Sequence, residues 1–246
     1  MIVKRIIAVI PARYQSTRFP GKPLALIDGK PMIQRVYERV SSVEEISQVL
    51  VATDDQRIHD CVINFGGTCV MTGKCSCGTE RVYEAVKNME CDIVLNVQGD
   101  EPLIKKEMIL DLLSIFEENA DMYIPMATLK KEITEKSDIE NPNIVKVVTD
   151  KKGKALYFSR YPIPYNRDET QDISYYKHIG IYGYDRGFLG KYVSMERSPL
   201  EIGENLEQLR VLENGYDIYV KRTEYDSIGV DLEEHIKKIE EALKNE

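Results

Sequence analysis

Three stretches of the chain share one pattern, an aliphatic run that gives way to a polar cluster: Ile6 to Ala12, Val49-Leu-Val-Ala-Thr-Asp-Asp55 and Ile93-Val-Leu-Asn-Val-Gln-Gly-Asp100. Short apolar runs that do not alternate with polar residues mark strands covered on both faces, the situation of a parallel sheet. Between them, Met32, Val36 and Val40, then Val82, Ala85 and Val86, recur at helical spacing. Pro31 suits the first turn of such a helix, where its missing N–H leaves nothing unsatisfied. Strand alternating with helix predicts an α/β protein with a doubly wound sheet, and ligands of such sheets gather at the carboxyl ends of the strands. The polar clusters fall at those ends.

Beyond a helix expected near residues 105 to 118 the pattern changes. Ile144-Val-Lys-Val-Val-Thr149 and Ala155-Leu-Tyr-Phe-Ser159 flank Asp150-Lys-Lys-Gly-Lys154, a hairpin signature. Tyr161 to Tyr175 is polar and holds Pro162 and Pro164, which predicts a loop on an excursion from the main sheet. A strand over Lys177-His-Ile-Gly-Ile-Tyr-Gly-Tyr184 follows, then a helix from about 186, another over roughly 203 to 213, and a strand at Ile218 to Arg222. Asp231 stands where the N-cap of an amphipathic terminal helix is expected. With no repeat, low-complexity tract or linker, the chain reads as one domain over residues 1–246 with an excursion at about 140–176.

The 246 residues, 43% hydrophobic, suffice for a sizeable core. A formal charge of −8 argues against a nucleic-acid partner while leaving room for a local basic cleft and phosphorylated small molecules. No apolar run approaches the roughly 20 residues that span a bilayer, and Met1-Ile-Val-Lys-Arg5 leads into a strand instead of a signal peptide, so no membrane association and a cytoplasmic location are expected. Five cysteines, at 61, 69, 75, 77 and 91, form an odd set unlike a secreted disulfide framework. Cys75-Ser-Cys77 is the one close pair, and its spacing does not match the usual zinc motifs.

The first buried run delivers Pro11-Ala-Arg-Tyr-Gln-Ser-Thr-Arg-Phe-Pro-Gly-Lys22, in which Arg13, Arg18 and Lys22, the hydroxyls of Ser16 and Thr17, and Gly21 lie within ten residues. Fixed positive charge and main-chain N–H groups on one loop are equipment for a polyphosphate, with a nucleoside triphosphate the expected ligand; a solvated basic loop is the plainer alternative. It is not the common phosphate loop, because Gly-x-x-x-x-Gly-Lys-Ser/Thr is absent. Asp100, at the end of the third run, is suited to Mg²⁺, which takes one or two carboxylates and completes its shell with phosphate and water. Asp231 is a second candidate, with helix capping as its alternative. Cys77-Gly-Thr-Glu-Arg81 precedes a helix, where it either reads the edge of a base or binds an anion, or simply starts that helix. His178 shares a strand face with Gly180 and Tyr182, as core or pocket floor, and Glu207 and Arg210 are near neighbours that could pair on a helix surface.

Taken together, Pro11-Ala-Arg-Tyr-x-Ser-Thr-Arg-x-Pro-Gly-Lys-Pro23, Gly78-Thr-Glu-Arg81, Asn96-Val-Gln-Gly-Asp-Glu-Pro102, Asn141-Pro-Asn-x-Val-Lys-Val-Val148, Ala155-Leu-Tyr-Phe-Ser-Arg160, His178-x-Gly-Ile-Tyr-Gly-Tyr184, Ser198-Pro-Leu-Glu201, Leu206-Glu-Gln-Leu-Arg210 and Gly229-Val-Asp231 run in order over nearly the whole chain. They resemble the 3-deoxy-manno-octulosonate cytidylyltransferase family, the CMP-Kdo synthetases. The resemblance implies a mixed sheet of the nucleotide-diphospho-sugar transferase type, coupling of CTP to a 2-keto-3-deoxy sugar acid with release of pyrophosphate, and a homodimer formed through the excursion. It implies that Pro11, Ala12, Arg13, Ser16, Thr17, Arg18, Lys22, Gly78, Thr79 and Arg81 bind the nucleotide. Asp100 and Asp231 would hold Mg²⁺, and Gln98, Arg160, His178, Tyr182, Glu207 and Gln208 would surround the sugar acid. Arg18, Lys22 and Asp100 would carry the catalysis.

The chain departs from the family at one place. Where the family commonly shows His-x-Ser-Gly-Thr, this chain has Cys75-Ser-Cys77-Gly-Thr79 in a segment one residue shorter, so an imidazole and a hydroxyl are replaced by thiols. The acceptor is therefore open among Kdo, an amino-substituted Kdo and other 2-keto-3-deoxy acids. Two other functions compete: nucleotidyl transfer to a sugar 1-phosphate, which the same loop could serve, and a nucleotide-binding regulatory protein without catalysis.

Overall fold

The computed structural model describes residues 4–15, 19–167 and 173–244. Ser16, Thr17 and Arg18 of the basic loop lie outside the described residues. In chain order the elements are β1 (Ile6–Pro11), β2 (Leu26–Ile27), β3 (Lys30–Pro31), α1 (Met32–Ser41), β4 (Gln48–Thr53), α2 (Gln56–Asn64), β5 (Cys69–Met71), α3 (Gly78–Val86), β6 (Ile93–Asn96), α4 (Lys106–Glu118), β7 (Met126–Glu132), α5 (Lys136–Glu140), β8 (Lys146–Thr149), β9 (Ala155–Ser159), β10 (Tyr176–Asp185), α6 (Arg186–Val193), α7 (Pro199–Glu204), α8 (Leu209–Glu213), β11 (Ile218–Arg222) and α9 (His235–Leu243). They divide into two compact units, residues 1–110 with 226–246, and residues 111–225.

The first unit is built on four parallel strands in the order β6-β1-β4-β5. Ile7, Ala8, Val9 and Ile10 are all fully buried, which is why this strand reads as an unbroken aliphatic run. From β1 the chain builds outward through β4 and β5, then returns to lay β6 on the other flank of β1. The gap between β1 and β6 is thus a point where the winding reverses, and loops leaving the carboxyl ends of two such strands frame a crevice. The basic loop after β1 and Gln98-Gly-Asp100 after β6 are those two loops. The terminal helix closes this unit: Ile239 and Val230 are buried with Ile27, Met32 and Leu103, and Glu240 accepts the Asp28 N–H at 2.9 Å.

In the second unit β7 pairs parallel with β11 and antiparallel with β10, and β10 pairs with the β8–β9 hairpin. The hairpin turn is the expected one: the Asp150 carboxylate accepts the N–H groups of Lys152 and Lys154, both at 2.8 Å, and Gly153 takes φ +79°.

Local structure departs from expectation at several points. Pro31 sits one residue ahead of α1, in the N-cap position. The helix expected over 203–213 is two short ones, because Asn205 adopts φ 53°, ψ 50° and ends α7 in the left-handed conformation that Asn tolerates well. Asp231 is not a helix cap. Helix α9 begins four residues later, behind Glu234, and the Asp231 N–H instead bonds His235 Nδ1 at 3.2 Å. Strands β5 and β7 and helix α2 were not expected from the sequence.

Candidate functional site

Each unit carries part of the expected site. In the first, the ends of the basic loop are tied together by the Gly21 N–H bonding Tyr14 O at 2.9 Å. Gly21 has φ +73°, and a Cβ there would meet the Tyr14 ring at 3.2 Å, so glycine is required on both counts. Arg57 covers that ring, its guanidinium carbon 3.2 Å from the centroid. The loop is therefore braced at its root while Arg13 remains exposed. Pro11 and Ala12 continue β1 to the carboxyl edge, where the Ala12 N–H bonds Ala52 O at 2.9 Å. Gly99 approaches so closely that a Cβ would lie 3.1 Å from Pro11 O, which sets the β6 turn against the start of the basic loop.

Lys22 joins three parts of the sequence. Its Nζ donates to Asp100 Oδ2 at 2.6 Å and to Val230 O at 2.9 Å, while the Val230 N–H donates to Asp100 O at 2.9 Å. Asp231, exposed, is the next residue, so the main chain brings the two expected metal-binding positions near one another. The donor set fits Mg²⁺, being all oxygen. Neighbouring Glu101 is pushed up to about 7, first by burial and then by the Asp100 and Asp226 carboxylates. Ser227 favours its charged form, yet neither Glu101 Oε2 nor Ser227 Oγ makes a hydrogen bond of good geometry among the described residues. The unpartnered Glu101 Oε2 is thus one more oxygen beside Asp100.

Gly78 and Thr79 occupy the first turn of α3, and Arg81 follows within it. Arg81 is 5% exposed, its two terminal nitrogens donating to Thr72 Oγ1 at 2.6 Å and Asp54 Oδ2 at 2.9 Å. It ties the helix start to the ends of β4 and β5. Cys77 is the N-cap, with Sγ accepting the Glu80 N–H at 3.5 Å. Burial pushes the Cys75 thiol up; Arg81 opposes this, and Glu80, Glu84 and Asp54 reinforce it, so at neutral pH the sulfur is a thiol and a poor nucleophile.

In the second unit β10 carries His178 and Tyr182, with ring centroids 5.3 Å apart, and the aromatic series continues through Tyr184 to Tyr192 of α6. Phe158 meets His178 edge-on at 5.1 Å. The His178 ring keeps some open surface but is densely surrounded, and burial pushes it down to about 3, so it is neutral at physiological pH. Arg160 spends its guanidinium on main-chain carbonyls: Glu204 O at 2.7 Å, Pro142 O at 2.9 Å and Asn205 O at 3.4 Å. Lys146, fully buried, bonds the carbonyls of Asn141, Ile144 and Arg160 at 2.6–3.0 Å and fixes the same segment. Glu207 and Gln208 fill the turn between α7 and α8. Gln208 is 3% exposed, and its Nε2 is buried with no partner among the described residues, a donor that a ligand oxygen would satisfy. Arg210 is buried, not on the surface as expected, and forks onto Glu201 at 2.6 and 2.7 Å.

The cytidylyltransferase family pattern matches residues 7–221. The 3-deoxy-manno-octulosonate cytidylyltransferase of Fusobacterium nucleatum subsp. nucleatum is 50% identical over 98% of this chain and 97% of its own length. The chain belongs to the 3-deoxy-manno-octulosonate cytidylyltransferases. The relative of the same name from Thermodesulfovibrio yellowstonii is 51% identical over 96% of this chain and 97% of its own. A solved structure of CMP:2-keto-3-deoxy-manno-octonic acid synthetase complexed with CTP superposes with a TM-score of 0.93 at 41% identity, covering 98% of this chain and 99% of that one. The 4-diphosphocytidyl-2C-methyl-D-erythritol synthase of Anaerococcus prevotii, 18% identical with a TM-score of 0.64 and covering 98% and 99% of the two chains, shares the fold. The nucleotide-diphospho-sugar transferase architecture expected from the sequence is therefore correct, as is the family assignment.

In the first unit several residues expected at the site converge: Pro11, Lys22, Gln98, Gly99, Asp100 and the Val230-Asp231 step lie at one sheet edge, with Gln98 Nε2 donating to Asn96 Oδ1 at 3.3 Å. Sequence reasoning missed residues that brace each unit: Tyr14 with Arg57 and Asp54 with Thr72 in the first, Lys146 and the Glu201–Arg210 pair in the second. The partners of Tyr14 and Asp54 lie far away in sequence, whereas the Ser198-x-x-Glu201 spacing of a capping box was a local signal for Glu201.

Proposed function

We propose that the chain couples CTP to Kdo or a close 2-keto-3-deoxy relative, giving the CMP-sugar and pyrophosphate. The observation that carries this reading is full-length identity of about 50% to 3-deoxy-manno-octulosonate cytidylyltransferases, supported by the likeness to a CTP complex. In this reading the anomeric hydroxyl attacks the α-phosphorus in line and no covalent enzyme intermediate forms. Arg13, Arg18 and Lys22 bind the phosphates, and Gly78 and Thr79 approach the cytidine from the first turn of α3. Arg81, committed to Asp54 and Thr72, acts by fixing that turn. Lys22 exchanges Asp100 for phosphate oxygen, placing its charge where negative charge grows on the leaving pyrophosphate. Mg²⁺, for which Asp100 and Asp231 are the protein ligands, would neutralise the triphosphate.

Arg160, His178, Tyr182, Glu207 and Gln208 of the second unit, with Gln98 of the first, are the residues to which family membership gives the sugar acid; the buried Gln208 Nε2 gains an acceptor on binding. Arg160 contributes mainly by shaping the pocket wall, since its donors already serve three carbonyls. The protein works in the cytoplasm, where CTP is made, as a homodimer joined through the excursion at about 140–176, which exposes Leu156, Tyr161 and Tyr165 at 62%, 80% and 83%. The test is pyrophosphate release from CTP and Mg²⁺ with a panel of Kdo, amino-substituted Kdo, other 2-keto-3-deoxy acids and sugar 1-phosphates. Release with the keto acids supports the reading. Release only with a sugar 1-phosphate, or with nothing, replaces it with one of its two competitors.

A further inference from the structure

Strand β10 gains two residues on its neighbour β7: Ile179 faces Leu129, yet the next pair is Tyr182 with Thr128, so Gly180 and Ile181 bulge out. A bulge strips carbonyls of their ladder partners. Thr128, fully buried, fills that gap, its Oγ1 lying 3.0 Å from Ile179 O, 2.8 Å from Ile181 O and 3.0 Å from His178 Nε2.

One hydroxyl has one proton and two lone pairs. Both carbonyls can only accept, so the Thr128 proton belongs to them, shared or alternating. Were His178 Nε2 also an acceptor, three lone pairs would compete for a single proton in a buried space. With a proton on Nε2, the imidazole donates to Oγ1, Oγ1 donates to a carbonyl, and every group is used in its proper sense. We propose that Thr128 is a positioning residue that holds His178 as its Nε2–H tautomer, leaving Nδ1 as a bare acceptor.

The consequence for substrate, which rests on the sugar-acid reading above, is one of chemical type. Nδ1 forms no hydrogen bond with any described residue. An acceptor recognises a hydroxyl and repels a carboxylate, so His178 reads a hydroxyl of the sugar, and the carboxylate of the sugar acid is met elsewhere. The strong downward shift of His178 on burial agrees, since it keeps the ring from becoming a cation that would reverse this preference.

The tautomer is read directly by long-range ¹H–¹⁵N correlation on the full chain labelled at its three histidines. His178 in the wild type should show a protonated Nε2 and an unprotonated Nδ1, and Thr128→Ser should preserve both. Thr128→Val removes the hydroxyl at nearly constant shape; the Nδ1–H form should then appear, and KM for the sugar acid should rise roughly threefold to tenfold, as for one neutral hydrogen bond. KM for CTP should stay within about twofold. A wild-type Nδ1–H tautomer overturns the proposal, whether or not the valine variant folds. So does a folded Thr128→Val protein with unchanged tautomer and unchanged KM. If the wild type turns over no keto acid, the sugar-acid reading fails while the spectra still decide the tautomer.

Discussion

Glu201→Gln gives a stringent test of how the turn bearing Glu207 and Gln208 is held. Glu201 is 2% exposed and binds both nitrogens offered by Arg210, at 2.6 and 2.7 Å, while its Oε2 also accepts the Ser198 N–H at 3.3 Å. Arg210 in turn donates to Met195 O at 3.1 Å, so the pair pins the start of α7 and the segment before it to α8. Removing one member of a buried pair leaves the other charge without compensation, at a cost of 3–5 kcal/mol in general. The lower end, about 3 kcal/mol, applies here, because the amide oxygen of Gln can still accept one bond from Arg210. For a chain of this length that corresponds to a fall in Tm of roughly 6–12 °C.

The sign of the pH dependence follows from the same contacts. Burial pushes Glu201 up, but the bonds and charge of Arg210, with Ser198 and Arg197, outweigh it and hold the carboxyl below its ordinary value of 4.5. A depressed folded-state value gives stability that is present above 4.5 and is lost as pH falls through the folded value. Urea titrations followed by circular dichroism should therefore show the wild-type advantage over Glu201→Gln at pH 7 shrinking below pH 4.5, and Glu201→Leu with Arg210→Met should recover stability lost in either single variant. A Tm for Glu201→Gln within 2 °C of wild type, or a double variant less stable than both singles, would refute the reasoning.

Asp100→Asn should abolish Mg²⁺-dependent pyrophosphate release while leaving the circular dichroism spectrum unchanged; near-normal turnover in the folded variant would remove Asp100 from the metal site. Cys77→Ser should raise stability by about 0.5–1 kcal/mol, because a hydroxyl accepts the Glu80 N–H better than sulfur does, with turnover retained; an equal or lower urea midpoint contradicts this. Loss of turnover in Cys75→Ser and Cys77→Ser together with loss of stoichiometric zinc would instead make that segment a metal site. Light scattering at micromolar concentration should report a dimer, and a monomer would contradict the assembly proposed for the excursion.

Strands β1, β4 and β6 of the first unit were legible because they are buried on both faces, whereas β5, at the edge and partly exposed, was not. Ile6 to Ile10 and the runs at Val49 and Ile93 carry the parallel sheet in their composition, and the chemistry sits at the residues that follow each run. The face shared by His178 and Tyr182 was legible too. The bulge inserts two residues, so the alternation between faces survives it and the two rings still meet. Strand β7 was not legible, since Met126-Ala-Thr-Leu129 is buried without alternation and Lys130-Lys-Glu132 continues into polar residues, a pattern with no period of its own. The break between α7 and α8 escaped notice because Leu206 and Leu209 keep apolar spacing across it; only the conformation of Asn205 ends the helix. Arg81 was correctly placed at a helix start, but its partners Asp54 and Thr72 are brought by β4 and β5, and that is tertiary information.

A common logic runs through these cases. Cations that the sequence offers as ligand binders are met within the chain by their own partners: Lys22 by Asp100 and Val230 O, Arg81 by Asp54, Arg160 by three carbonyls. Leaving such charges unpaired would cost stability, so the fold satisfies them, and binding becomes an exchange of partners instead of the filling of empty valences. The exchange is least costly where both partners are claimed by the same ligand. In the proposed reaction Lys22 and Asp100 are the one pair among these in which a triphosphate would take the cation and its magnesium the anion, so that neither would be stranded. Arg81 and Arg160 have no such matched exit, and they are better understood as the frame around the site than as the hands within it.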